Sequence, residues 1–153
     1  MLSKRPPFAD SATRVSKRLI IDELNFAEIE FRWCWELVAA CLDAGITRGD
    51  GGKIRDFQLR LFDALVRLED VHHRLRAEEK RLISRKAKLS DLWFASRMKT
   101  LGKYREAVLH GLAIGRAIGD AFAWFFYQFD RELIAEHRQH QRQPDAQSLA
   151  TSP

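Results

Sequence analysis

The side chains in this chain that could do chemistry are histidines that follow arginines at short spacing. Arg67 is followed by His72, Arg105 by His110 and Arg131 by His137. Histidine titrates near neutral pH and can take up and return a proton. Arginine presents a planar fork that holds phosphate oxygens. Glu69-Asp-Val-His72 is a Glu-x-x-His step of the kind used in carboxylate-bridged metal bundles. Such a cage needs a second step and two more inward glutamates, and the chain has no second Glu-x-x-His. His137 and His140, three apart, could also grip a metal, but they lie where the last helix is expected to fray. No metal and no cofactor are expected. The run Gly49-Asp-Gly-Gly-Lys53 precedes a helix. A phosphate loop would need Gly in place of Thr47 and Ser or Thr in place of Ile54, with a strand before it. A nucleoside triphosphate site is therefore excluded.

The Arg-x4–6-His spacing resembles the motif of HEPN-type ribonucleases, small all-helical bundles that act as dimers. The resemblance covers the motif alone. It implies a metal-independent centre in which the Arg/His pair promotes attack by a ribose 2′-hydroxyl. Arg67 and His72 are the first choice for that centre, because a basic segment follows them. A polar residue is common just after the family's arginine. Leu68 stands there in the first pair, and Glu106 and Glu132 in the others.

Charge is unevenly spread. The 153 residues carry a formal +5. Residues 74–105 hold 11 basic groups against Glu78, Glu79 and Asp91, a net +8. Residues 1–18 add +4, whereas 19–73 carry −5 and 106–153 carry −2. Such a block suits a polyanion. Arg81, Arg85, Lys86, Lys88, Arg97, Lys99 and Lys103 are the expected anion contacts, interleaved with Trp93, Phe94 and Tyr104. Cations beside stacking rings are how single-stranded nucleic acid is held.

These residues need helices to position them. Ile20, Leu24, Ala27, Phe31, Cys34, Trp35, Val38, Cys41 and Leu42 recur at helical spacing over about 18–42. Gly45 and the glycines of 49–52 end that helix. Ile54, Phe57, Leu61, Leu65, Leu68, Val71, Leu75 and Leu82 form a seam with one skipped step. Ser90 or Asp91 would cap a short helix over 92–99, Gly102 permits a break, and a last helix runs over about 101–137. On that helix Ala107, Gly111, Gly115, Gly119 and Ala123 lie four apart. Glycine costs a helix about 1 kcal/mol relative to alanine. Three on one stripe imply that another backbone or large side chain approaches closely there. Residues 107–129 are long enough to cross a bilayer. Glu106, Arg116 and Asp120 on one side favour an amphipathic helix instead, with its charged side to water.

The expected fold is all-α, a bundle of three long helices and one short one. Residues 1–17 are read as a flexible arm, 18–138 as one domain and 139–153 as a disordered tail. Cys34 and Cys41 fall on an apolar face, as buried free thiols in a reducing, cytoplasmic setting. The expected function is a non-catalytic binding or assembly protein, using the small-residue stripe toward a protein partner or a second copy. The alternatives are a nucleic-acid-binding subunit using the basic block and the ribonuclease. A membrane partner is not expected.

Overall fold

The computed structural model describes residues 14–45 and 48–150. Most of the segment read as an arm, the loop residues 46 and 47, and residues 151–153 lie outside it. Among the described residues the chain is an all-α bundle. It comprises α1 (Lys17–Ala44), α2 (Gly51–Ser84) and α3 (Asp91–Ala150), with single 3₁₀ turns at Arg48–Asp50 and Lys86–Lys88. No helix among them is long and apolar enough to cross a membrane.

Local chemistry sets the ends. Ser16 caps α1, its hydroxyl accepting the Leu19 N–H at 3.1 Å. Gly45 closes α1 at φ 75°, a backbone angle that favours glycine, and donates its N–H to the Cys41 carbonyl. Ser90 caps α3 by accepting the Trp93 N–H. The segments expected on either side of Gly102 are one helix of 60 residues. Leu101 and Val108 are both fully buried, so packing continues across the glycine and outweighs its local cost.

The helices run up, down and up. Phe57 stacks on Phe122 at 4.1 Å, Glu69 meets Arg116, and Glu78 meets Arg97, so α2 and α3 are antiparallel. The α2 seam is buried at Ile54, Phe57, Leu61, Ala64, Leu68, Val71, Leu75 and Leu82. From α1 it meets Ile20, Ala27, Phe31, Cys34, Val38 and Cys41, and from α3 Leu101, Val108, Leu112, Ile118 and Phe122. Trp35 and Leu42, read into the α1 core stripe, are exposed instead. The inward arc of α1 is narrower than the apolar arc of its sequence. Leu24 and Leu65 are partly buried against the core.

Two ionic clamps set the register of α1 on α2. Arg67 makes two bonds to Glu23, at 2.9 and 3.0 Å, and lies 3.7 Å over the Phe26 ring. One heptad along, Arg60 makes two bonds to Glu30 and lies 4.0 Å over Trp33. A bidentate carboxylate and an aromatic face together fix each guanidinium.

The skipped step of the α2 seam is filled by charge. Glu78 is 2% exposed and accepts both Arg97, at 2.8 Å, and the Val15 N–H, at 3.0 Å. Arg97 also donates to the Val15 carbonyl at 2.8 Å. Glu79 accepts Arg105 at 2.8 Å. The α2–α3 hairpin thus extends beyond α1 with salt bridges in its core, and the strand-like segment at Val15 straps across it.

Candidate functional site

The small-residue stripe of α3 meets core side chains at Gly111 and Gly119, where an added Cβ would lie 3.2 Å from Leu68 and 3.4 Å from Leu61, and most tightly at its middle. A Cβ on Gly115 would lie 2.5 Å from the Phe31 ring of α1 and 2.6 Å from Leu65 of α2. Positions four apart advance about 40° around a helix. The stripe therefore precesses from one neighbour to the other. Ala107 and Gly111 open toward α1, where they line a groove of about 850 Å³ with Leu24, Phe31, Trp35 and Ile114. Gly119 and Ala123 open toward α2, lining a groove of about 650 Å³ with Leu59, Leu61, Phe62 and Phe122. Small residues with large side chains on either flank make shallow apolar troughs.

The α2-side groove is bordered by apolar groups that the chain's own core does not use. Phe62 is 68% and Leu59 59% exposed there. Large contiguous apolar exposure of this sort marks a contact surface. It adjoins the projecting part of α3. Phe57 lies opposite Phe122, so Gly51 at the start of α2 lies opposite about residue 128. The remainder of α3, to Ala150, runs roughly 30 Å past that point at 1.5 Å per residue.

The other end of the bundle is basic. Glu78 and Glu79 are consumed inside the hairpin by Arg97 and Arg105, so the net +8 of residues 74–105 is carried by the remaining groups. The Val15 strap adds Arg14, which lines a cleft of about 300 Å³ with Arg81, Arg85 and Trp93. Lys86 sits 5.3 Å over the Phe94 ring. Of the expected anion contacts, Arg85, Lys86, Lys88, Lys99 and Lys103 are exposed, Arg81 is at the cleft, and Arg97 is 13% exposed and held by Glu78.

The Arg/His pairs are not assembled into one centre. Arg67 is locked by Glu23 and Phe26. His72, five residues on, lies about 140° around the helix from it. Burial is the main cause holding His72 below its ordinary pKa, with Arg76, His73 and Arg105 adding to it and Glu79 opposing. His110 lines the α1-side groove, whereas Arg105 is turned to Glu79. Arg131 lies over Tyr127, and the side chain of His137 is outside the described residues. Glu69, of the Glu-x-x-His step, pairs with Arg116. No three His, Cys, Asp or Glu side chains gather as a metal site among the described residues.

Comparison with protein-family models, curated proteins and solved structures finds no match.

Two features escaped sequence reasoning. The first is that Arg14 lines one cleft with Arg81 and Arg85, more than sixty positions along the chain. The second is the pair of clamps, whose signal was present: Glu23-x-x-Phe26 and Glu30-x-x-Trp33 repeat after seven residues, as do Arg60 and Arg67.

Proposed function

We propose that this is a non-catalytic helical assembly protein that pairs with a second copy of itself through the α2-side groove and the projecting part of α3. The carrying observation is the exposed apolar lining of that groove, Leu59 and Phe62 above all, beside a helix that outruns its own bundle. A two-fold arrangement supplies both halves of such a contact. The projecting α3 of one copy lies in the groove of the other, and the reverse, which satisfies the self-complementarity a closed dimer needs. Gly119 and Ala123 let a helix backbone approach, and the large rings on either side fill its flanks.

Sedimentation velocity over a wide concentration range tests this. Wild-type protein sediments as a dimer, and Leu59→Glu with Phe62→Glu sediments as a monomer of unchanged helicity. A wild-type monomer at the highest concentrations would refute self-pairing. A dimer indifferent to both substitutions would move the contact elsewhere.

A further inference from the structure

We propose that the cleft at the basic end binds single-stranded nucleic acid, with a backbone phosphate between Arg14, Arg81 and Arg85 and a base on the indole of Trp93. Three guanidiniums reach this cleft from two distant stretches of sequence. Clustered cations on one wall attract an anion. Glu78 also lines the cleft, but both of its oxygens are engaged, Oε1 by Arg97 and Oε2 by the Val15 N–H. Its charge is already matched by Arg97, so it does not cancel the positive potential at the mouth.

The ring decides the class of polyanion. Trp93 is 45% exposed and forms one wall of the cleft. An indole beside guanidiniums suits a phosphate ester that carries a flat base, since every base offers a face for stacking. The cleft's volume of about 300 Å³ admits one nucleotide unit rather than a duplex. Exposed Lys86, Lys88, Lys99 and Lys103 continue the positive surface along the hairpin, where neighbouring phosphates would run.

The test is fluorescence anisotropy with a labelled single-stranded oligonucleotide of about 20 residues, RNA and DNA in turn, at several salt concentrations. Wild-type protein binds with a steep salt dependence. Arg14→Gln with Arg85→Gln weakens binding about tenfold or more and flattens the slope of log K on log salt by about 1.4, roughly 0.7 per lost phosphate contact. Trp93→Ala weakens binding by about tenfold with the slope unchanged, because stacking releases no counterion. Trp93→Phe restores much of it, which separates stacking from a fold defect. Circular dichroism confirms that each variant remains helical. Absence of binding at low salt would overturn the proposal. So would binding that ignores these changes yet falls with Lys99→Gln and Lys103→Gln, a diffuse surface effect. Capture by phosphatidylserine vesicles without oligonucleotide binding would overturn it in favour of a lipid surface.

Discussion

Gly115→Ala and Gly102→Ala should move stability in opposite directions. Both glycines lie inside α3, so each substitution gains the same helix propensity, about 0.5–1 kcal/mol. Their surroundings differ. A Cβ on Gly102 meets nothing within 4 Å. A Cβ on Gly115 falls 2.5 and 2.8 Å from two atoms of the Phe31 ring and 2.6 Å from a Leu65 methyl. Van der Waals contact needs roughly 1 Å more than that. Leu65 can rotate its terminal methyl away. The Phe31 ring is buried between the helices, and moving it disturbs the core packing around it. Overpacking of this kind costs about 1–3 kcal/mol. Because the propensity gain cancels between the two variants, their difference isolates that steric cost. Thermal unfolding followed at the helical circular dichroism band should raise Tm for Gly102→Ala by about 2–4 °C and lower it for Gly115→Ala, the two separated by several degrees. Equal stabilisation by both substitutions would refute the close approach of α1 and α2 to Gly115. Gly115→Leu should be far more disruptive than either.

Glu78→Gln should cost about 3 kcal/mol, since it leaves Arg97 without its carboxylate in a nearly dry site; urea denaturation measures it, and the Val15 strap should gain protease sensitivity in the same variant. Arg67→Ala should cost about 1–2 kcal/mol by releasing Glu23 and uncovering Phe26; if oligonucleotide cleavage in EDTA were present and vanished in this variant without loss of stability, the structural role assigned to Arg67 would be wrong. Burial pushes the Cys34 thiol up to about 11, with Glu30 adding to the rise and Arg60 opposing it. A thiol whose folded pKa is raised contributes stability below the unfolded value near 9 and loses it as pH climbs to about 11, at roughly 1.4 kcal/mol per pH unit. Cys34→Ala should flatten that alkaline slope, and native Cys34 should react with a thiol reagent only as fast as the bundle opens.

The seams were legible in the sequence because helical periodicity is local. Ile54 to Leu82 named nearly the whole inward face of α2, and Ser90, read with Asp91 as the cap of a separate short helix, caps the long α3 instead. The skipped seam step was visible as an interruption, but its filling by Glu78 depends on Arg97 arriving from another helix. Trp35 was misread for a related reason. Its spacing fits the α1 stripe, but how wide an arc is buried depends on where α2 and α3 lie, and they leave it at the open edge of a groove. Gly102 was read as a break because glycine weakens an isolated helix. Within the bundle Leu101 and Val108 pack on both sides of it, and tertiary contact prevails. The small-residue stripe was recognised, but its division between two grooves follows from the 40° drift and from having two neighbours to drift between. The same geometry divides Arg67 from His72. Five residues along a helix place two side chains on different faces, and Glu23 claims the arginine first.

The two proposed surfaces sit at opposite ends of α3, and the charge distribution favours that separation. A dimer built at the basic end would bring two blocks of +8 together. A dimer built on Leu59, Phe62 and the projecting part of α3 holds the basic ends apart by tens of ångströms, well beyond a screening length of about 8–10 Å at physiological salt. Pairing should then be governed by apolar burial and respond weakly to salt, whereas oligonucleotide binding should weaken steeply with it. Measured on the same protein, the two dependences separate the surfaces. Raising salt from low to physiological should leave the sedimentation coefficient nearly constant while anisotropy binding falls by an order of magnitude or more. If dimerisation instead strengthened sharply with salt, the copies would be meeting through their basic ends, and the groove could not be the interface.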